Sequence, residues 1–210
     1  MKILKRIIFC ALAILVAAMY SYGIWPRAIY NTDIGANSYE NTGALEEGEV
    51  LTQQFVCTDN GLCGLKIKLT KLESQSIGNY EWKIEELGSK TEIAHGVIDE
   101  KSTENKEFVS SSVQERGNIE LDVPKQEDSK GKEYLLTIEG TEVQENETMA
   151  VYITEKGRTN STLKLNGDNL EKASIIKVEY KRFNVETFIV FLGIVLYLVV
   201  FVKFMYKLFK

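Results

Sequence analysis

Two cysteines, Cys57 and Cys63, are the residues whose type and spacing most clearly indicate chemistry. They enclose a short polar segment with the pair Asn60-Gly61, which is typical of a tight hairpin turn. In an oxidising compartment this spacing predicts a disulfide across the ends of two strands, worth roughly 2 kcal/mol for so short a loop. Two buried thiols, or half of a metal site, are the alternatives. Because a zinc site needs more ligands and His95 is the only histidine, the disulfide is favoured.

Neighbouring carboxylates, Glu46-Glu47 and Glu85-Glu86, are the candidates for acid–base chemistry. A glycosidase needs two carboxylates about 5 to 10 Å apart across a cleft. With 30 Asp and Glu residues in the chain, however, such pairs arise by chance. The sequence contains no Gly-x-Ser-x-Gly elbow, no His-Glu-x-x-His helix motif and no phosphate-binding glycine loop. It therefore predicts a protein that is not an enzyme, with no catalytic residue, metal site or cofactor.

Two aromatic residues, Tyr80 and Trp82, have the spacing of a sugar-stacking platform. They would share one strand face with Ile84, so packing in the core is the favoured interpretation. Asn146-Glu147-Thr148 and Asn160-Ser161-Thr162 are glycosylation sequons, which matter only in a eukaryotic secretory pathway. The sequence identifies no ligand-binding residue.

Period-two segments separated by turn residues dominate the middle of the chain, which is the pattern of half-buried strands. No segment between them has a convincing helical repeat, and residues 26–47 are a polar linker or an irregular first layer. Many short antiparallel strands must stack to bury their apolar faces, so an all-β sandwich or jelly roll is predicted for residues 48–182. The predicted strands are residues 50–57, 65–71, 80–87, 93–98, 118–123, 134–139, 149–154 and 174–180.

Both ends of the chain are apolar, and each is predicted to be a transmembrane helix. Residues 187–206 begin with 16 uncharged residues and, with Lys203 extending its charge to the interface, reach the roughly 20 residues that a bilayer requires. Residues 7–25 follow three basic residues and are predicted to be a retained signal anchor. Cleavage before Met19 is the alternative. Cys10 is predicted to stay a free thiol within the bilayer.

Charge predicts the topology and excludes one class of partner. Six basic residues and one acidic residue lie in the two ends, so the net charge of −5 for the whole chain becomes −10 between them. The basic residues flank the apolar segments on the outer sides, so residues 1–6 and 207–210 are predicted to be cytoplasmic and the middle domain extracytoplasmic. An acidic surface repels phosphate backbones, so nucleic acid is not expected as a partner.

Several strand and turn segments resemble those of the galactose-binding-like jelly rolls. The resemblance rests on Gly48-Glu49-Val50 with Gln54-Phe55, then residues 65–69, residues 80–87 and residues 131–138. It is closest to the extracytoplasmic domains of bacterial membrane proteins, including those of cell-surface glycan assembly. These positions are structural in that family, so no ligand-binding residue can be transferred. The resemblance implies a non-catalytic binding module that is often related to carbohydrate.

The expected function is therefore binding of a glycan or a cell-envelope component by a membrane-anchored jelly-roll domain. Such a module would serve as an accessory subunit of a larger membrane assembly. A cell-surface glycan hydrolase is one alternative. The other is a structural subunit that docks to a larger membrane protein through its two helices.

Overall fold

The computed structural model describes residues 2–158 and 160–209 and divides into two units. One unit comprises Met1–Trp25 with Lys181–Lys210, and the other comprises Pro26–Tyr180. The first unit contains two α-helices, α1 (Lys2–Ser21) and α2 (Val185–Leu208). The second contains nearly all of the β structure.

The helices α1 and α2 are both long and apolar enough to cross a membrane by length and composition. The 24 residues of α2 form about 36 Å of helix at 1.5 Å per residue. Asn184 caps its start by accepting a hydrogen bond from the Thr187 N–H (3.0 Å). The ring centroids of Tyr20 and Phe191 lie 5.5 Å apart where the two helices meet, and most other side chains of both helices are exposed.

Among the residues that the structure describes, thirteen strands follow α1. They are β1 (Tyr22–Ala28), β2 (Glu40–Asn41), β3 (Val50–Val56), β4 (Leu62–Thr70), β5 (Asn79–Glu86), β6 (Thr91–Ile98), β7 (Asn118–Gln126), β8 (Glu133–Glu142), β9 (Ala150–Thr154), β10 (Ser161–Leu165), β11 (Asp168–Leu170), β12 (Ala173–Ser174) and β13 (Ile176–Phe183). The first sheet has the order β1-β13-β4-β9-β12, with β2 beside β9 and β7 beside β4. The second has the order β11-β10-β3-β8-β5-β6. Pairing is antiparallel, as at β3–β8 and β4–β7.

One hydrophobic core contains side chains from both sheets, which gives a sandwich-like arrangement. Alternation along the strands directs every second residue into this core. Examples at most 1% exposed are Leu65, Ile67 and Leu69 on β4, and Tyr134, Leu136 and Ile138 on β8. Full burial of one such aliphatic or aromatic side chain contributes about 1.5 to 3 kcal/mol. Tyr80 and Trp82 also lie in this core, which confirms the packing interpretation.

The predicted strands are all present, with shifts at their ends. Larger differences from the sequence predictions lie in the two helices and in the linker. The helix α1 ends at Ser21, and residues 22–25 form part of β1, because an apolar segment fits a strand as well as a helix. At the other end, α2 extends beyond residues 187–206 in both directions. The predicted linker is also partly structured, since it contains β2 and the buried Leu45.

The predicted disulfide between Cys57 and Cys63 is not formed in the structure, so that prediction is wrong. The expected hairpin is absent because β3 belongs to the second sheet and β4 to the first, so residues 57–61 cross between the sheets. Cys57 lies in the core, where burial raises the pKa of its thiol to about 12. Cys63 is half-buried, and its thiol donates to the carbonyl oxygen of Glu179 at 3.5 Å.

Hydrogen bonds fix this crossing in place of a disulfide. The buried hydroxyl of Ser129 donates to the carbonyl oxygen of Asp59 (3.0 Å) and accepts from the Leu62 N–H (3.1 Å). The Tyr180 hydroxyl accepts from the Thr58 N–H at 3.1 Å. Each bond of this kind contributes about 0.5 to 1.5 kcal/mol.

Candidate functional site

A polar groove of about 840 Å³ lies between two loops of the β domain, residues 71–78 and 143–149. The first loop joins β4 of the first sheet to β5 of the second, and the second loop joins β8 of the second sheet to β9 of the first. Both loops therefore cross between the sheets. Because β4 pairs with β9 through Thr70 and Ala150, these crossings lie side by side at one end of the domain.

Direct hydrogen bonds hold the two loops together. The Gly78 N–H donates to the carbonyl oxygen of Glu147 at 2.7 Å. The Ser74 and Thr148 hydroxyls lie 3.3 Å apart, and the Ser76 hydroxyl donates to the Glu147 carboxylate at 3.4 Å. No side chain fits at Gly78, because a Cβ there would lie 2.4 Å from the carbonyl oxygen of Glu142. The groove is thus built on loops with a fixed geometry.

Two side chains from outside the groove brace the loops from behind. The Tyr80 hydroxyl donates to the Leu45 carbonyl (2.8 Å) and accepts from the Met149 N–H (3.0 Å). Glu100, in the 3-10 helix Glu100–Glu104, accepts from the Ile77 N–H at 2.9 Å and from the Lys71 ammonium. The hydrogen bond from Lys71 is the main reason that the pKa of Glu100 is lowered.

The groove lining can both donate and accept hydrogen bonds, which is what recognition of sugar hydroxyls requires. Amides and carboxylates alternate around it, together with the hydroxyls of the two loops. Leu72 adds an apolar side chain, 41% exposed, at a backbone φ of 51° that non-glycine residues rarely adopt. The amide and carboxylate side chains are Gln75, Gln144, Asn146, Glu73, Glu145 and Glu147.

The residues considered from the sequence for chemistry lie elsewhere. The exposed His95 on β6 has its Nδ1 2.6 Å from the Glu92 carboxylate. Glu85 pairs with Lys83 (3.2 Å). Glu86 pairs with Lys132 at 3.0 Å. Glu46 and Glu47 are exposed ahead of β3. Within residues 2–158 and 160–209, no group of three or more His, Cys, Asp or Glu side chains could hold a metal ion.

Of the motifs singled out in the sequence, one lies in the groove, namely the glycosylation sequon that begins at Asn146. The second sequon residue, Asn160, is exposed and does not line the groove. The groove residues lie in loops without periodicity, and no short motif marks them. Only the pairing of β4 with β9 brings the two loops together, and a sequence pattern does not specify that pairing.

Fold and groove together define a class: an antiparallel two-sheet β domain with a polar groove at one end, preceded and followed in the sequence by an apolar helix. No known family model matches this chain, and no curated protein gives a significant match to it. The resemblance to galactose-binding-like domains therefore remains a prediction.

Proposed function

We propose that this protein is a membrane-anchored, extracytoplasmic jelly-roll module that binds a glycan or another cell-envelope component. The groove between residues 71–78 and 143–149 is its binding site, and the protein serves as an accessory subunit of a membrane assembly. The observation that carries the proposal is the lining of that groove, in which amides, carboxylates and hydroxyls lie on braced loops. A polyhydroxylated ligand is the chemical match for such a lining.

In this proposal α1 and α2 cross the membrane, and both chain ends are cytoplasmic. The support is the length and apolar composition of the two helices, together with the basic residues at the outer side of each. Reporter fusions after Lys210 and within residues 90–130 would test this topology. Reporter activity that places the β domain in the cytoplasm would contradict it.

The groove is open and has no aromatic side chain in its lining, so affinity for a single sugar is expected to be weak, with a Kd of about 1 mM. The test is a glycan-binding screen on the full-length protein in nanodiscs, with Gln75→Ala combined with Gln144→Ala. Loss of two amides should weaken binding about tenfold or more, since each hydrogen bond contributes about 1 kcal/mol.

Gln54→Ala is the matched control, because it removes an amide that hydrogen-bonds Glu133 at 3.2 Å, away from the groove. Equal loss of binding in the control and the groove variant would contradict the site. A hydrolysis assay on the same samples separates the enzyme alternative. Turnover that disappears when one groove carboxylate is neutralised would establish a hydrolase instead.

A further inference from the structure

Residues 105–117, between the 3-10 helix and β7, form a compact loop that covers the outer face of the first sheet; we call it the Ω-loop. Its two ends lie close together, since the Asn105 side chain donates to the Asn118 carbonyl (3.4 Å) and the Gly117 N–H donates to the Phe108 carbonyl (3.0 Å). The Arg116 guanidinium folds back onto the Ser110 carbonyl at 3.1 Å. Closed ends and internal hydrogen bonds are the properties of an Ω-loop, a kind of segment that is often functional.

A buried lysine is the main polar contact beneath this loop. Lys68, on the outward side of β4, is only 4% exposed. Its ammonium donates to the carbonyl oxygens of Val113 (2.9 Å), Gln114 (3.5 Å) and Arg116. The ring of Tyr152 lies 5.7 Å from the same Nζ atom. All three acceptors are uncharged backbone groups of the Ω-loop.

The charges around Lys68 are unusual for a buried cation, which is normally paired with a carboxylate. Within the part of the chain that the structure describes, no carboxylate forms a salt bridge with Lys68 or Lys177. Burial, followed by repulsion from Lys177 and Arg116, lowers the pKa of Lys68 to about 8. Lys177 lies on β13 opposite Lys66 of β4, whose own charge is taken up by Glu107, Glu120 and Glu179.

We propose that the Ω-loop is a lid over an oxyanion site formed by the ammonium groups of Lys68 and Lys177. In the closed state the carbonyl oxygens of the lid take the place of the anion. A ligand with phosphate-type oxygens supplies the negative charge that those carbonyls lack, so it displaces the lid. The site is separate from the groove and from the function proposed for the groove.

Few contacts attach the Ω-loop to the sheet, so the whole loop can open as one unit. It contains no strand. The side chains that anchor it include the half-buried Phe108, Glu107, which pairs with Lys66 (2.8 Å), and Asn118, which donates to the Gln114 carbonyl (3.4 Å). Gly117 marks one hinge, with a φ of 82° and a hydrogen bond to the Leu69 N–H (2.7 Å). A Cβ at Gly117 would lie 2.2 Å from the Leu69 carbonyl oxygen, so the hinge tolerates no side chain.

Hydrogen exchange of the full-length protein in detergent micelles tests the lid, with inorganic pyrophosphate as the probe and chloride at equal ionic strength as the reference. We expect pyrophosphate to bind and to speed exchange at residues 106–116 on the order of tenfold, since the exchange rate follows the population of the open loop. The strands should not change. Lys68→Met and Lys177→Met should each abolish binding.

Lys164→Met is the matched control, because it removes an exposed lysine from β10 in the second sheet and should bind pyrophosphate like the wild type. Lys177→Met keeps the test decisive if Lys68→Met does not fold. Unchanged or slower exchange at residues 106–116 with pyrophosphate would overturn the lid. Equal binding by the wild type and Lys177→Met would overturn the site. A response to long-chain polyphosphate without one to pyrophosphate would also overturn it, because general charge attraction explains that result.

Discussion

Two lysines on one face of β4 lie in opposite electrostatic surroundings. Lys66 is within salt-bridge distance of three glutamates, at 2.8 Å (Glu107), 3.0 Å (Glu120) and 3.9 Å (Glu179). Lys68, two residues further on, contacts three backbone carbonyls of the Ω-loop and is repelled by Lys177 and Arg116. The same strand thus places Lys66 in a cluster of carboxylates and Lys68 among uncharged backbone carbonyl groups.

The comparison teaches that burial alone does not decide the sign of a pKa shift. Burial lowers the pKa of both lysines, but Glu107 and Glu120 outweigh it at Lys66 and leave that pKa raised. Burial and ion pairing also oppose each other at Glu179. Burial raises the pKa of its carboxyl group and outweighs Lys66, which lowers it. An ion pair therefore stabilises the Lys66 end, while the Lys68 end retains an uncompensated charge.

The largest expected effect is a pH dependence from Lys68. Its pKa is about 8 in the fold and 10.5 ordinarily, so between these values the unfolded chain binds more protons and stability rises with pH. The gain is up to about 3 kcal/mol at 1.36 kcal/mol per pKa unit. Calorimetry of the full-length protein should therefore give a Tm that rises from pH 8 to 10 relative to Lys68→Met. If Tm changed with pH in the same way for the wild type and Lys68→Met, the claim that Lys68 carries an uncompensated buried charge would be contradicted.

Removal of Lys66 should have a smaller effect on stability than the charge of Lys68. It should lower stability, because Lys66 compensates nearby carboxylates. Lys66→Met leaves Glu179, only 15% exposed, without its counter-ion, which should cost about 2 kcal/mol of stability. The same calorimetry measures it. Adding Glu179→Gln should restore most of the loss, because the remaining partners, Glu107 and Glu120, reach water. A Tm unchanged by Lys66→Met would show that the cluster contributes nothing.

The smallest effect concerns the contact that links the carboxylate cluster to the Ω-loop. Glu107→Gln removes one half-exposed partner of Lys66 and should cost less than about 1 kcal/mol. Exchange at residues 106–116 should nevertheless speed up severalfold, since an anchor of the loop is weakened. Glu127→Gln, which loses an exposed pairing with Lys125 elsewhere, is the control. Equal exchange in the two variants would leave Lys68 and Phe108 as the anchors.

The sequence could predict strands but not their partners. Alternation around Lys66 and Lys68 placed β4 correctly, because that pattern depends only on neighbouring residues. The groups that surround the two lysines come from the Ω-loop, β7, β9 and β13, far along the chain. Asn60-Gly61 likewise has turn chemistry, with a φ of 84° at Gly61, yet the strands on either side enter different sheets. The groove loops meet for the same kind of non-local reason.

The crossing at residues 57–61 has a consequence for how this domain matures. Ser129 and Tyr180 hold that connection through hydrogen bonds, and the thiol of Cys57 is sealed in the core. The domain can therefore reach its final fold without waiting for an oxidase or a disulfide isomerase. Reduction of the protein should accordingly leave the stability of the β domain unchanged.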